Sequence, residues 1–545
     1  MAGIHGGQII ARALKAEGVD AIFTLTGGHI VPILDGCVQE DIRIVDVRHE
    51  QTAAHAAEAY TRLTGRLGVA AVTAGPGVTD TITALAAAQF SGTPMLLLGG
   101  RHFIRQEQRG GLQEMDHPQL VRPVTRWATT AWETGRLADY IATAARHAFA
   151  GRGGPVFLDV PLDVQADMVP EDAVEWPESY RHSEPLGAEA AVVERVAELL
   201  LRAVRPVVFV GGGLRPQTAQ ALIPFAEALG TMVYVNGAAR GALPFGHDVL
   251  GNRTRSEAFR EADLVLALGV DWDFRTGYGA KINSEATVVQ VDAESTKIGW
   301  NRAAHVGIVA DPGRFLEQLE AHKATYGRNN VAGWLNQLQS SEAEKLAAAN
   351  ALADSADTGG AVHPERFGQD VASFFGPDAI VAVDGGDIVS TTAKWLQVSH
   401  PGHVLDPGPF GTLGTGPGYA LAAKVVHPDK EVGIVFGDGG FGFHGMEFDT
   451  YLRHQLPIIG VVGNDGVWNN IKTFHAAFYP DRLVATDLGV RPYHAMVSGL
   501  GGHGSFVRKA SKLMPALEEA RASEMPALVN VHVQETFRAS SNYAQ

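Results

Sequence analysis

Cysteine is all but missing from this chain. Cys37 is the only one in 545 residues, which excludes an intrachain disulfide and any metal site built from several thiolates. No stretch of 18 apolar residues occurs, so no segment has the length a membrane-crossing helix requires. The leading MAGIHGGQIIARALKAEG lacks the apolar core of a secretory signal, and a cytoplasmic protein is expected. Positive charge is also scarce: the formal net charge is −16, with no run of five or more like charges. Neither nucleic acid nor an anionic membrane is an expected partner of such a chain. The full dinucleotide-binding glycine signature is absent too. GGGLRP after VVFV does not keep the GxGxxG spacing, which argues against a nicotinamide dehydrogenase.

What is present belongs to an α/β protein. Hydrophobic residues make up 46% and charged residues 19%, with 63 glycines. A chain of this length divides into about three domains. In the first part, strand-like runs (AIFTLTGG, LGVAAVTAG, PMLLLGG) alternate with helix-period runs (GQIIARALKAEG, QTAAHAAEAYTRLTG, DTITALAAAQFSG). That alternation predicts parallel sheets with both faces covered. MVPEDAVEWPESYRHSEPLGAE has no period and reads as a linker. A second series runs from RPVVFVGGG to about residue 325. A helix-prone polar stretch leads into a third, through AIVAVDGG, EVGIVFGDGG, PIIGVVGNDG and ALVNVHVQ.

Two runs of the third series, VGIVF and PIIGVVG, stop at GDG and NDG, placing Asp438 and Asp465 at consecutive strand ends. The intervening HGMEFDTYLRHQ reads as one crossover helix, so the two strands are expected to be neighbours. Ligands of open parallel sheets bind beyond the carboxyl ends of the strands. Either cluster alone is ordinary turn chemistry. Together they put two carboxylates face to face, an arrangement relieved by a hard cation such as magnesium or calcium. The glycines beside Asp438 would let the backbone approach a phosphate that shares that cation.

GDG followed at the next strand end by N-(N/D)-G is the diphosphate and magnesium motif of thiamine diphosphate enzymes. The chain resembles the group that includes acetolactate synthase, benzaldehyde lyase and 2-hydroxyacyl-CoA lyase, from about residue 5 to 530. The resemblance implies three doubly wound parallel-sheet domains of the pyruvate oxidase/decarboxylase type. They would be a pyrimidine-binding domain (1–183), a central Rossmann-like domain (184–345) and a diphosphate-binding domain with a C-terminal tail (346–545). It implies thiamine diphosphate and Mg²⁺, the metal held by Asp438, Asp465 and the main-chain oxygen of Val467, with Gly437, Gly439 and Gly440 beside the phosphates. Many members carry Asn where this chain has Asp465. In VRHEQTAAHAAEAYTRLTG, Glu50 matches the family glutamate that protonates the pyrimidine ring, so that the cofactor's own amino group can take the C2 proton. VTAGPGVTDTITALAAA is similar to the loop that puts Thr73 and Gly75 near the pyrimidine, with Asp80 in place of the usual Asn. FGTLGTGPGYALAA supplies Leu413 as the apolar prop of the bent cofactor. VAVDGGDIVST makes Gly386 and Asp387 candidates for diphosphate contact.

For the substrate, three branches of the group compete. TLTGGHIVPILDG and RGGLQEMDHPQLVRPVTRW put His29 and Gln113 where benzaldehyde lyase has a polar catalytic pair, yet its second active-site His aligns with Pro407 here. GDGGFGFHGMEFDT is most similar to the 2-hydroxyacyl-CoA lyase pattern GDxAFGFSGMExET, and the tail QETFRASSNYAQ matches a segment that could close over the site. Acetolactate synthase is the third branch, but VNGAARGALPFGHDVLG lacks the expected flavin turn, and FAD is not expected. The leading expectation is cleavage of a 2-hydroxyacyl-CoA to formyl-CoA and an aldehyde or ketone, or the reverse. Arg255, Arg260, Arg275 and Lys281 are candidate cations for a CoA thioester, and ADP or CoA is the ligand expected in the central domain because ATVVQVDAE ends in acidic residues. A homodimer or homotetramer with active sites at the subunit interface is implied. A non-catalytic protein on the same fold is the alternative of another class.

Overall fold

The apolar, β-branched runs become strands buried along their length. In the computed structural model, which describes residues 3–178, 184–327, 331–355 and 360–536, they assemble into three six-stranded sheets, each parallel throughout. Gly68–Val72 and Met95–Arg101 are buried at every residue. A strand covered on both faces needs no polar alternation. This is the α/β architecture of three parallel-sheet layers that the alternation predicts.

Contacts gather the chain into two compact units. The first consists of Met1–Glu184, Pro407–Asp429 and His444–Leu456. Its sheet runs Arg43–Asp46, Ala21–Leu25, Gly68–Val72, Met95–Arg101, Pro155–Pro161, Trp127–Thr130. The helix Glu50–Thr64 is buried from Glu50 to Thr61 apart from Gln51. Its small side chains admit the helix Thr415–Val426 closely: a Cβ on Gly418 would sit 2.7 Å from the Thr52 carbonyl oxygen. Tyr419 donates its hydroxyl to Glu58 at 2.8 Å across that contact.

The second unit consists of Pro185–Asp406, Lys430–Phe443 and Pro457–Gln545 and carries two sheets. One orders its strands Leu250–Gly251, Val233–Val235, Pro206–Val210, Leu264–Leu268, Thr287–Asp292, Val306–Val309. The other orders them Val404–Leu405, Ile380–Asp384, Val432–Gly437, Ile459–Asn464, Ala527–His532, His503–Val507. In that last sheet Asp384 pairs in register with Phe436, and Gly437 with Gly463. The two aspartate-bearing strands are therefore neighbours, as their spacing predicts.

Two local expectations are corrected. MVP, within the stretch read as linker, is a short strand (Met168–Pro170) paired antiparallel with Gly3–His5; its partner lies so far away in sequence that no local period announces it. The crossover is not one helix. The chain turns helical at Asp438 itself (Asp438–His444), breaks at Gly445 and resumes as Glu447–Arg453. An acidic residue in a first turn favours that start through the helix dipole. No described helix is long and apolar enough to cross a membrane.

Candidate active site

In the first unit, Glu50 opens its helix behind the N-cap His49, whose ring Nδ1 accepts the Gln51 N–H at 3.1 Å. The turn leading into it is held by Glu447. That carboxylate, 1% exposed, accepts the Arg48 N–H at 3.1 and 3.2 Å and the Thr450 hydroxyl at 2.6 Å. Glu447→Ala strips these donors of their acceptor inside the protein. An expected loss of about 1–3 kcal/mol follows, read as an earlier midpoint in thermal or urea unfolding. An unchanged midpoint would deny Glu447 this structural role.

Glu50 is itself 8% exposed. Burial pushes its carboxyl above the usual range, the Asp80 charge adds to the rise, and His49 opposes it. Glu50, Asp80 and His49 each offer a polar atom within 4.8 Å of the others. The sequence marks Asp80 only as a departure from a pattern; its closeness to Glu50 is a tertiary fact.

The residues singled out around the first glycine loop do come together. His29, 8% exposed rather than open to solvent, meets the Thr73 hydroxyl at 3.1 Å through Nδ1 and hydrogen-bonds Gln113. Burial holds the His29 pKa below its ordinary value, with His102 and His117 reinforcing the effect. The imidazole is therefore neutral near pH 7, able to accept or donate. Gln113 has φ +60, and a Cβ on Gly75 (φ +59) would fall 2.8 Å from the Gln113 Cβ. Only glycine fits that approach and that backbone.

Beneath this loop lies a buried chain the sequence did not reveal. The Gly75 N–H donates to His117 Nε2 at 2.8 Å, and His117 Nδ1 lies 2.9 Å from Asp159. Arg101 then binds Asp159 at 2.7 Å and Glu107 at 2.6 Å. No local motif links residues 75, 117 and 159, so only folding could show the connection.

In the second unit, three adjacent strands end together at Asp384, Gly437 and Asn464. Asp438 accepts the Gly439 and Gly466 N–H groups, each at 2.9 Å, and Asp465 accepts the Val467 N–H at 3.1 Å. Burial pushes the Asp438 carboxyl up to about 6. Asp465 goes up to about 7, through burial first and then the charge of Asp438. Among the described residues neither has an ion-pair partner. Two desolvated carboxylates at neighbouring strand ends, Asp465 raised further by the charge of Asp438, fit a bound metal ion. A cavity of about 300 Å³ opens beside Asp438, walled by Gly439, Phe443, Trp468, Leu488 and Tyr493. Trp468 sits so close that a Cβ on Gly439 would be 2.2 Å from its ring. Gly386 precedes the short helix opened by Asp387, whose carboxylate accepts the Asn469 amide at 2.9 Å. Gly440 packs against the end of the Ile380–Asp384 strand. Leu413 belongs to the first unit, just ahead of the helix Thr415–Val426.

Residues 4–120 match the thiamine pyrophosphate enzyme N-terminal TPP binding domain, 193–319 the central domain and 384–531 the C-terminal TPP binding domain. The chain is 39% identical over 529 residues to a probable acetolactate synthase of Mycobacterium bovis, covering 97% of this chain and 95% of the relative. The chain is a thiamine pyrophosphate enzyme. The acetolactate synthase large subunit of Mycobacterium tuberculosis gives the same identity and coverage. The human 2-hydroxyacyl-CoA lyase 2 is 35% identical over 586 residues, covering 98% of this chain and 91% of that one. Carboligase and lyase relatives thus both extend along nearly the whole of this thiamine pyrophosphate enzyme.

The central domain of this enzyme departs in detail from the cations named in the sequence. Arg255 and Arg275 come together, with Arg255 Nη2 donating to the Arg275 carbonyl at 3.4 Å. Arg275 is bound to Asp273, at 2.7 Å for the closest contact, and Arg260 and Lys281 are exposed. The desolvated cations are Arg255 and Arg240. Burial lowers the pKa of each; Arg240 depresses Arg255 further, and Asp406 partly offsets the effect at Arg240. Arg240 was not singled out in the sequence because ARG reads as ordinary loop composition. The residues 537–545 of the tail lie outside the described residues.

Proposed function

We propose that this thiamine pyrophosphate enzyme is a Mg²⁺-dependent carbon–carbon lyase or carboligase, cleaving a 2-hydroxyacyl-CoA to formyl-CoA and an aldehyde or ketone, or condensing them. The observation that carries the Mg²⁺ reading is the Asp438–Asp465 pair, both carboxyls raised by burial and Asp465 further by the charge of Asp438. Asp438, Asp465 and the Val467 carbonyl would hold the metal, and Gly386, Asp387, Gly437, Gly439 and Gly440 would flank the diphosphate. Thr73, Gly75 and Leu413 would seat the ring system. When bound, thiamine diphosphate supplies a nucleophilic carbon that adds to a carbonyl and accepts the electron pair of the broken C–C bond.

The chain's own residues do the rest. Glu50 holds and gives a proton to the pyrimidine nitrogen. Neutral His29 takes the substrate hydroxyl proton when the C–C bond breaks and returns it on condensation, while Gln113 orients His29 and the carbonyl. His29→Ala is expected to lower kcat/KM by about 10²-fold without weakening cofactor binding. Steady-state kinetics beside a cofactor titration checks it, and an unaltered kcat/KM removes His29 from the chemistry.

The CoA branch is favoured by the Arg240–Arg255 pair, two desolvated cations that suit the phosphates of CoA or ADP in the central domain. Acetolactate formation from pyruvate is the second reading, favoured by the 39% identity to the acetolactate synthases. A homodimer or homotetramer is the proposed assembly. Mass spectrometry of products from a short-chain 2-hydroxyacyl-CoA decides between the branches. Formyl-CoA supports the first reading; intact thioester with acetolactate from pyruvate supports the second.

A further inference from the structure

Two carboxylates in the first unit stand beside each other. Glu50, 8% exposed, and the exposed Asp80 present oxygens within 4.8 Å of each other and of a His49 ring nitrogen. They come from separate elements: Glu50 from the start of the helix Glu50–Thr64, Asp80 from the end of the turn Pro76–Thr79. Of the other charged or titratable groups nearby, His49 offsets part of the effect on Glu50. His49 uses Nδ1 to accept the Gln51 N–H, and its ring is stacked on His444 at 4.8 Å. Arg48 points its guanidinium toward Asp449 at 3.8 Å. His444 is buried, and neither of its ring nitrogens has a hydrogen-bond partner.

At this distance the charge of Asp80 disfavours ionisation of the buried Glu50 carboxyl. The geometry points to Asp80 as an electrostatic partner of Glu50, a positioning residue whose charge favours the protonated form of Glu50. An amide in place of Asp80 would offer Glu50 a donor and no charge. The carboxylate favours the states in which a proton lies between Glu50 and the group facing it. The raised Glu50 carboxyl agrees with this arrangement, Asp80 contributing after burial. The consequence for catalysis rests on the reading of Glu50 as the group that protonates the pyrimidine; the pairing itself does not.

Thermal unfolding of the cofactor-free full chain across pH separates the two. A carboxyl raised in the folded state contributes stability that is complete below the unfolded value, about 4.3, and is lost as pH rises through the folded one. Removing the Asp80 charge reduces that loss. D80N is therefore expected to melt about 2 °C above wild type near pH 7, with the difference closing by about pH 4. In an E50Q background the same substitution gives no pH-dependent gain. A gain equal at all pH values, or one that persists in E50Q, overturns the pairing. In the loaded enzyme, D80N is expected to move the alkaline limb of the kcat profile down by about one unit; a lower rate on an unmoved profile overturns the catalytic part alone. If the melting cycle shows coupling while loaded E50Q turns over normally, the pairing stands and the assigned role of Glu50 falls.

Discussion

Glu50→Gln is expected to bind thiamine diphosphate as the parent chain does and to turn over about 10³-fold more slowly. The size of that loss follows from the site. Glu50 is nearly closed off from water, and its carboxyl is raised by burial, so it holds a proton to higher pH than a free glutamate does. An amide of the same shape keeps the hydrogen-bonding outline but cannot hand a proton over. Its neighbours stay in place because Glu447 and the His49 cap hold the turn independently of the Glu50 side chain. Cofactor affinity by calorimetry and single-turnover rates with saturating cofactor measure the two halves separately. Wild-type turnover in the variant would remove Glu50 from the proton relay.

For Asp438→Ala, the second large effect, metal-dependent cofactor affinity is expected to fall by at least about 10²-fold, and activity with it at ordinary cofactor concentrations. The proposed metal would offset two carboxyls that resist ionising, Asp438 pushed up to about 6 by burial and Asp465 up to about 7 by burial and the charge of Asp438. The sign of the pH dependence follows. With no cation bound, both groups hold protons below these values and must lose them to ligate the metal. Mg²⁺-supported binding in the parent chain is therefore expected to strengthen as pH rises through about 6 to 7 and to release protons. Calorimetry in buffers of different ionisation enthalpy reads that release. A pH-independent affinity would show that these carboxylates are not the metal's ligands.

The same raised values bear on stability without cofactor. Both carboxyls contribute stability that is present at low pH and lost as pH climbs through the folded values. Removal of the proposed metal is therefore expected to be most destabilising on the alkaline side, where the two charges are left unneutralised.

The parallel sheets and the strand-end aspartates were legible because the signals are local. VGIVF and PIIGVVG are buried strands of the expected length, and each ends in residues that turn the chain. Their adjacency followed from the single crossover between them. Glu50 at a helix start was legible for the same reason. Hidden were features whose partners lie far apart in sequence: His117 and Asp159 beneath Gly75, Glu447 under the Arg48 turn, and Met168–Pro170 against Gly3–His5. The helical start at Asp438 was missed because GDG has the composition of a loop and only the sheet register directs it into a helix.

Periodicity, turn chemistry and charge, read from the sequence alone, determined the α/β class, the three parallel sheets, the strand-end carboxylates and the lack of any disulfide framework. These depend on residues within one element or its immediate connection. Tertiary structure alone decided that Asp80 faces Glu50, that His29, Thr73 and Gln113 form one cluster, and that Arg240 rather than Arg260 or Lys281 shares the buried surroundings of Arg255. The reason is desolvation. A charge's behaviour is set by what folding packs around it, and no spacing along the chain encodes how much water is left there.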